Sequence, residues 1–376
     1  MNIKRLLSPT YRLPTKFWEV PSGRDNFLKE KEYLRPKWII KYLKRKLFCW
    51  FFIQKFGRVK MLNKIEREHK KILWINWAAP SLGDSLMDLS ARVMLKGKDV
   101  VLLTHPKNST LYKRDEILSS VYDCPKVLLN EHGKDAFDIV ICDAFSPRVF
   151  KQKRVVAPNV PFVGIYGYLN GFEVHRTYFA FSRMAELVDL PKDKLGSYQV
   201  KPLLYNVRTD KFKRSVAIAV GGEWDFRTYD RWLPLVDRLS TSGFQVGLFG
   251  SKNGGEDANL IENKNKTVKN FVGKKNLTET INELSKYELF IGADGGLWHI
   301  ACGLDIPSVV LFADCEIFND AGKRVLRDTH SLITKSLYDQ KSVKNITINS
   351  LESAFCELNK AVSGFTFCNQ QSDYKH

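Results

Sequence analysis

The chain has 376 residues, of which 44% are hydrophobic and 27% are charged. Both fractions are close to those of globular proteins, which excludes an intrinsically disordered chain, and the length favours two domains over one. The formal net charge of +18 is concentrated near the amino terminus, because residues 1–71 carry 20 lysine and arginine residues against six acidic ones.

Residues 1–70 form a basic, aromatic-rich extension ahead of the first predicted strand. Its longest apolar run, residues 47–53, is far shorter than the ~20 residues that cross a bilayer, and it lies too late in a basic segment for a signal peptide. Two interpretations are compatible: a helix that packs on the protein body, and a helix that lies on an anionic membrane surface. Nucleic-acid binding is not expected, because no known nucleic-acid module follows. The residues that would face a membrane or an acceptor are Lys41, Lys44, Arg45, Lys46 and Trp50.

From residue 71 onward, short β-branched runs alternate with segments of helical periodicity. Strands are predicted at residues 72–77, 100–104, 127–129, 139–142 and 162–165, and helices at 84–95 and 176–188. Continuous apolar strands separated by helices indicate a parallel sheet covered on both faces. We therefore expect a Rossmann-like α/β domain over residues 71–204.

A polar stretch, residues 205–214, interrupts this pattern and is interpreted as a hinge. The alternation then restarts, with strands predicted at 215–220, 244–249, 289–293 and 308–311, and helices at 230–240, 256–262 and 278–285. A second Rossmann-like domain is expected over residues 215–348, and a C-terminal helix and tail over 349–376. The predicted fold is α/β, with two doubly wound domains facing a cleft.

Neither metal nor disulfide chemistry has clear support in the sequence. The seven cysteines are scattered and form no CxxC pair, which favours reduced thiols in a cytosolic protein. There is no HExxH motif, and no GxGxxG motif follows a predicted strand, which argues against a dinucleotide-dependent dehydrogenase. Neither a bound metal nor a cofactor is therefore expected.

In open α/β sheets, ligands bind beyond the carboxyl ends of the strands, and the first such end is AAPSLGD, residues 78–84. Asp84 either caps the following helix, a role that typically contributes about 1 kcal/mol, or projects as a general base into the cleft between the domains. Asp88 follows one turn later, so a carboxylate pair that binds a metal is a third alternative.

The second end is VGGEWDFR, residues 220–227, after the first strand of the second domain. Two adjacent glycines, Gly221 and Gly222, allow the backbone to approach a ligand, as phosphate sites require. Arg227 can offer a planar set of donors to a diphosphate.

The third end is IGADGGLWHIACGLDIPSVVLF, residues 291–312. The backbone N–H groups of Gly295, Gly296 and Leu297 are expected at a helix N-terminus, which favours a bound anion, and His299 can donate a hydrogen bond to the same anion. The alternative is that Asp294 caps the helix and that His299 is a polar residue of the core.

The segments ILWINWAAPSLGDSLMDLSARVMLKG and IGADGGLWHIACGLDIPSVVLF resemble the two signature regions of the family 9 glycosyltransferases. These are the ADP-heptose-dependent heptosyltransferases that build the inner core of bacterial lipopolysaccharide. The resemblance covers roughly residues 71–330. It implies a fold of the glycosyltransferase B type, with the acceptor mainly on the first domain and the nucleotide sugar on the second, inversion at the anomeric carbon, and no metal ion.

The resemblance also implies roles for individual residues. Asp84 falls on the family's catalytic base, and Glu256 falls on the acid that holds the nucleotide ribose. The donor and its diphosphate are expected to contact Gly221, Gly222, Arg227, Asp294, Gly295, Gly296, Leu297 and His299. Three features depart from the family pattern: Gly295 replaces a Thr or Ser, residues 88–90 replace a Thr-x-Pro, and the basic extension is additional.

The function that the resemblance implies is transfer of a heptose from ADP-heptose to a sugar hydroxyl of a lipopolysaccharide or lipooligosaccharide core. The partners would be the nucleotide sugar and an anionic, lipid-linked oligosaccharide acceptor, and the enzyme would be cytoplasmic and peripheral on the inner membrane. The alternatives are another nucleotide sugar, a protein acceptor, or a catalytically silent protein that binds glycan or nucleotide.

Overall fold

The computed structural model describes residues 60–78, 80–167, 176–191, 194, 197–204, 210–313 and 334–363, together with seven positions between residues 40 and 51. The chain divides into two compact units. Residues 60–204 lie in the first unit, and residues 210–313 and 334–363 lie in the second. Each unit is an α/β domain around a parallel sheet, as the sequence predicts.

The first domain has a five-stranded parallel sheet in the order β3-β2-β1-β4-β5. Its strands are β1 (Lys71–Asn76), β2 (Asp99–Thr104), β3 (Leu118–Tyr122), β4 (Ile139–Cys142) and β5 (Phe162–Gly164). Its helices are α1 (Leu82–Leu89), α2 (Pro106–Ser109), α3 (Pro125–His132), α4 (Pro147–Val156) and α5 (Arg176–Leu187). A 3₁₀ segment, Ser90–Leu95, continues α1.

The second domain has a six-stranded parallel sheet in the order β11-β10-β9-β6-β7-β8. Its strands are β6 (Ser215–Ala219), β7 (Gln245–Phe249), β8 (Lys269–Asn270), β9 (Leu289–Ala293), β10 (Ser308–Ala313) and β11 (Thr334–Asp339). Its helices are α6 (Trp232–Thr241), α7 (Gly255–Lys264), α8 (Leu277–Leu284), α9 (Gly296–Gly303) and α10 (Ile348–Ser363). Short 3₁₀ segments cover Asp225–Arg227, Lys252–Gly254 and Val343–Asn345.

Both sheets contain strands that are buried along all or nearly all of their length. All four residues of β4 and five of the six residues of β1 are buried, and β6 and β10 are buried throughout. This is the pattern of strands covered by helices on both faces. In each sheet the strand order reverses beside the first strand, between β1 and β4 and between β6 and β9, and this switch point is where ligands of such folds bind.

Several local predictions are wrong in detail. Residues 127–129, predicted as a strand, lie within α3, because Pro125 fixes the backbone of the first helical turn and a short apolar run does not distinguish a strand from a helix. The strand at this place is β3, whose two serines interrupt the apolar run, so sequence periodicity does not detect it. The predictions also lack α4, β8 and β11.

The end of the basic extension packs into the first domain. Met61 forms a parallel bridge with Phe162, and the backbone N–H of Ile65, which is buried, donates to the carbonyl of Leu187 at 2.6 Å. Among the seven described positions between 40 and 51, all are helical, and Phe48 packs against the core with its ring 6.2 Å from that of Phe150. The exposed apolar residues of this segment are Ile40, Leu43, Leu47, Trp50 and Phe51.

Lys44 is exposed, whereas Lys41, Arg45 and Lys46 lie outside the described residues, as do residues 205–209 of the expected hinge and the tail from residue 364. Within the part of the chain that the structure describes, we find no helix with the length and apolarity to span a bilayer.

Candidate functional site

Asp84 lies in the first turn of α1, at the carboxyl end of β1. The helix begins at Leu82, and Ser81 occupies the N-cap position with an extended backbone (φ −72°, ψ 142°). Asp84 is therefore the third helical residue, and the interpretation that it caps the helix is wrong, because the helix starts two residues earlier than expected. Its side chain is 37% exposed, which makes the carboxylate accessible to a ligand.

Arg176, the first residue of α5, joins Asp84 to Asp88. Its Nε and Nη2 donate to the two carboxylate oxygens of Asp88, at 2.6 and 2.8 Å, and its Nη1 lies 3.3 Å from Oδ1 of Asp84. Burial raises the pKa of the Asp88 carboxyl, and the Arg176 guanidinium acts in the opposite direction. Burial opposes the charge on Arg176, but the carboxylates of Asp88 and Asp84 outweigh it and raise the pKa of the guanidinium.

Tyr166 completes this cluster. Its hydroxyl donates to Oδ1 of Asp88 at 2.7 Å, and the guanidinium of Arg176 lies over its ring at 5.0 Å from the centroid. The Tyr166 ring also stacks on Phe179 of α5, with ring centroids 4.8 Å apart and an angle of 9° between the ring planes. Burial and the charge of Asp88 raise the pKa of the Tyr166 hydroxyl, so it stays protonated and acts as a donor.

This arrangement does not fit a metal bound between Asp84 and Asp88. Both oxygens of Asp88 are already occupied by Arg176, and a guanidinium between two carboxylates takes the place of a cation. Among the described residues, no three His, Cys, Asp or Glu side chains are grouped as metal ligands. Independence of metal stays a prediction from the sequence.

Asp143, which the sequence analysis missed, fixes the loop that precedes Asp84. It follows β4 directly and is fully buried, and its carboxylate accepts hydrogen bonds from the backbone N–H groups of Ala78 (2.8 Å) and Ala144 (2.7 Å). Burial raises the pKa of Asp143 to about 7, against the lowering effect of these two donors. The signal in the sequence was an acid directly after a buried strand, at the edge where ligands bind.

A second buried contact holds the start of α1. The hydroxyl of Ser85 donates to Oδ1 of Asn76 at 2.7 Å, and Asn76 is the last residue of β1. The backbone on both sides of Asp84 is thus tied to the end of the sheet, because Ala78 is bound to Asp143 and Ser85 to Asn76.

In the second domain, Asp294 lies between β9 and α9, next to two nitrogen donors. The N-cap of α9 is Gly295, so the interpretation that Asp294 caps this helix is wrong. The carboxylate of Asp294 instead lies 3.6 Å from Nη1 of Arg227 and 3.9 Å from Nε2 of His299. The structure thus brings together three of the predicted donor-site residues, while the burial of His299 remains compatible with a role in the core.

The two glycines after β6 are required by close packing. Gly221 has a left-handed backbone (φ +85°), and a Cβ atom there would lie 2.8 Å from the backbone of Gly254. At Gly222 a Cβ atom would lie 2.9 Å from the carbonyl oxygen of Arg227. Gly295 differs, because its backbone is extended and the nearest atom would be 3.8 Å away.

The remaining predicted donor residues lie at the same edge of the second sheet. Gly296 and Leu297 are the first two residues of α9, where backbone N–H groups lack acceptors within the helix. Glu256 is exposed in the first turn of α7, which follows β7 through a short 3₁₀ segment. The switch point between β6 and β9 therefore combines a helix N-terminus, an arginine and a histidine, which is a combination suited to a phosphate-bearing ligand.

Comparison with known proteins identifies related families and structures. Residues 170–318 match the model of glycosyltransferase family 9 (heptosyltransferase), which confirms the resemblance predicted from the sequence motifs. The matched segment contains Arg176, Arg227, Asp294 and His299, whereas Asp84 precedes it. No curated protein matches the chain.

Solved structures that share the fold include the following three. The ADP-heptose lps heptosyltransferase II of E. coli is 18% identical, with a TM-score of 0.56 over 77% of this chain and 98% of that chain. A family 9 glycosyl transferase from Veillonella parvula is 13% identical, with a TM-score of 0.59 over 78% and 100%. The E. coli heptosyltransferase WaaC, solved with ADP, is 15% identical, with a TM-score of 0.59 over 76% and 99%.

Proposed function

We propose that the chain is a family 9 glycosyltransferase and that it transfers a heptose from ADP-heptose to a sugar hydroxyl of a lipopolysaccharide or lipooligosaccharide core. The observation that supports this most directly is the cluster at the β6/β9 switch point, where Arg227 and His299 approach Asp294 beside the N-terminus of α9. The E. coli heptosyltransferase WaaC was solved with ADP, and the name of the E. coli heptosyltransferase II includes ADP-heptose.

The proposed reaction is a single displacement with inversion. The acceptor hydroxyl oxygen attacks the anomeric carbon, the bond from that carbon to the diphosphate oxygen breaks, and the electron pair leaves with ADP. Asp84 accepts the proton of the acceptor hydroxyl, which is the role of a general base on the face of the sugar opposite the leaving group.

The second domain is proposed to stabilise the leaving ADP. Two negative phosphate groups need compensating donors, and the free N–H groups at the start of α9, together with Arg227 and His299, supply them without a metal ion. The contacts of Arg227 and His299 with Asp294, at 3.6 and 3.9 Å, are longer than strong charged hydrogen bonds.

Titration calorimetry in the presence of EDTA tests the donor. We expect ADP-heptose to bind, and UDP- and GDP-sugars to bind at least tenfold more weakly. Selective binding of a UDP- or GDP-sugar would retain the fold and reaction class but replace the donor, and binding that requires added Mg²⁺ would contradict metal independence.

Transfer is tested with heptose-deficient lipopolysaccharide and ADP-heptose. The expected product is lipopolysaccharide that has gained one heptose, with release of ADP. Donor binding without transfer or donor hydrolysis would favour the alternative of a catalytically silent binding protein.

We further propose that the N-terminal extension brings the enzyme to the anionic, lipid-linked acceptor at the inner membrane. Phe48 anchors the helical segment to the first domain, whereas Leu47, Trp50 and Phe51 stay exposed, within a region that carries most of the net charge. Exposed aromatic residues beside lysines are typical of helices that lie at the headgroup level of an anionic bilayer.

Substitution tests this membrane proposal better than deletion, because Met61 and Ile65 belong to the packed domain. Leu47→Ser, Trp50→Ser and Phe51→Ser together should reduce binding to vesicles of phosphatidylglycerol and phosphatidylethanolamine at least tenfold. Leu260→Ser, at an exposed leucine of the second domain, is the matched control and should leave binding unchanged. Equal vesicle binding by the triple variant and the wild type would refute the membrane role.

A further inference from the structure

The buried cluster beside Asp84 points to a role that the sequence motifs do not assign. We propose that Arg176, itself fixed by Asp88 and Tyr166, is the positioning residue that orients the Asp84 carboxylate toward the acceptor hydroxyl. This inference rests on the proposed function, since it takes Asp84 as the base.

Asp88 holds the guanidinium of Arg176 in an orientation that leaves one nitrogen next to Asp84. Arg176 uses Nε and Nη2 for a bidentate pair with Asp88, at 2.6 and 2.8 Å, which fixes the guanidinium plane. Only the outer nitrogen, Nη1, is directed to Asp84, at 3.3 Å from Oδ1. Arg176 therefore contacts the Asp84 carboxylate through Oδ1, and the proposal assigns acceptance of the proton to Oδ2.

Burial separates the roles of the two acids. Asp88 has a side chain that is 1% exposed and is saturated by Arg176 and Tyr166, so it is in no position to meet an acceptor. Asp84 is 37% exposed. Two carboxylates and one guanidinium give the cluster one net negative charge. Asp84 is the acid of the cluster that a substrate can reach.

The contacts of Arg176 with the two carboxylates also argue against a direct role in binding the acceptor. Basic residues of the first domain are natural candidates to bind a phosphorylated acceptor. In Arg176, however, all three guanidinium nitrogens already face carboxylates. Its planar faces are restricted too, because one lies over the Tyr166 ring. Arg176 consequently acts through Asp84 and not on the acceptor itself.

The expected consequence concerns turnover more than affinity. A base displaced by about 1 Å loses on the order of 100-fold in rate even when substrate binding is intact. Arg176→Ala should lower kcat 30- to 100-fold for transfer from ADP-heptose to heptose-deficient lipopolysaccharide, with the acceptor KM within threefold of the wild-type value. Arg148→Ala, at an exposed arginine of the same domain, should leave both constants unchanged.

Chemical rescue separates positioning from folding. Guanidinium chloride at about 20 mM, well below denaturing concentrations, should restore kcat of Arg176→Ala at least fivefold by filling the vacated space between Asp84 and Asp88, and should not stimulate the wild type or Arg148→Ala. Arg176→Lys should recover less, because an ammonium group cannot form the bidentate pair with Asp88 while reaching Asp84.

A measurement without turnover distinguishes this inference from the proposed function. Carbodiimide coupling of glycine ethyl ester, mapped by mass spectrometry, should label Asp84 at least threefold faster in Arg176→Ala than in the wild type. Asp115, buried against Arg92 in the same domain, should stay unlabelled in both proteins if the fold is intact. If the wild type transfers no heptose, the proposed function fails, while the labelling rate still tests the contact.

Three results would overturn the proposal: an acceptor KM that rises tenfold with kcat unchanged, absence of guanidinium rescue, or equal labelling of Asp84 in both proteins. Tyr166→Phe keeps the stacking and removes the hydroxyl that contacts Asp88 at 2.7 Å and the carbonyl of Arg176 at 3.3 Å, so it tests the same idea if Arg176→Ala does not fold. We expect Tyr166→Phe to lower kcat two- to tenfold with the acceptor KM unchanged, and an unchanged kcat would also count against the proposal.

Discussion

The two domains each place an acid after a central strand and an arginine beside it, but the two pairs differ in how tightly they are bound. In the first domain, Arg176 contacts Asp88 at 2.6 Å and lies in a cluster with Tyr166. In the second domain, Arg227 and Asp294 are 3.6 Å apart. This difference fits the proposals that the tight pair helps to hold Asp84 in place and that the loose pair belongs to the donor site.

The largest expected effect is on the acid of the first domain. Asp84→Asn should lower kcat for heptose transfer by about 1,000-fold, because the amide cannot accept the acceptor proton, while ADP affinity stays within threefold. Calorimetry with ADP and a transfer assay separate the two quantities. Glu116→Gln, at an exposed acid of the same domain, is the control. Near wild-type turnover of Asp84→Asn would remove Asp84 from the role of base.

Arg227→Ala tests the loose pair of the second domain. Loss of a charged donor to the diphosphate should weaken ADP binding about 10- to 100-fold, and His299→Ala should weaken it less. Arg231→Ala, at a half-exposed arginine paired with Asp230, is the matched control. If Arg227→Ala bound ADP as tightly as this control, the diphosphate site would have to lie elsewhere in the domain.

Because of Asp143, we expect the stability of the first domain to fall as the pH rises toward 7. Its pKa is raised to about 7 by burial, whereas an unfolded aspartate titrates near pH 4, so the folded protein binds an extra proton between these values. The stability contributed by this group is present at low pH and is lost as the pH rises toward 7, by about 2 kcal/mol between pH 5 and pH 7.

Urea unfolding of Asp143→Asn at both pH values checks this prediction. The free energy of unfolding of the variant minus that of the wild type should be about 2 kcal/mol larger at pH 7 than at pH 5, because only the wild type loses stability over this range. A difference between the two proteins that is the same at both pH values would show that Asp143 does not titrate in this range. Asp88 and Arg176 are the nearby charges that influence the group, and both remain in the variant.

The smallest effect concerns the glycines of the second domain. Gly295→Ser should be accommodated, because the backbone is extended and a Cβ atom has 3.8 Å of space, and a serine at an N-cap should change stability by only a few tenths of a kcal/mol. Gly221→Ala should destabilise by more than about 1 kcal/mol, since it combines φ +85° with a 2.8 Å contact. Thermal unfolding of both variants tests the contrast, which fails if their losses are equal.

The sequence predicted strands that are buried throughout, such as β4, β6 and β10, because continuous apolar runs leave little ambiguity. It failed where the local signal is short or polar: α3 was predicted as a strand, and β3 and β11 were not predicted. The two missed strands, β3 and β11, form because neighbouring strands supply hydrogen-bond partners to segments whose own preference for a strand is weak.

The sequence likewise identified some residues of the candidate site and missed others. Asp84, Asp294, Arg227 and His299 were identifiable because each lies near a glycine motif at the end of a predicted strand. Asp143 and Arg176 were not identified, since each is a single charged residue that belongs to no recognisable motif. Their importance follows from partners that are distant in the sequence, such as Ala78 for Asp143 and Asp88 for Arg176.

The sequence by itself determined the class of fold and the position of the glycine motifs at the ends of the strands, because alternation of apolar segments and short glycine motifs are properties of neighbouring residues. Only the tertiary structure decided where each helix begins, which acid is buried and which is accessible, and which arginine is held by carboxylates. These outcomes depend on contacts between residues 65 to 88 positions apart, whose energies are set by burial and distance and not by local sequence.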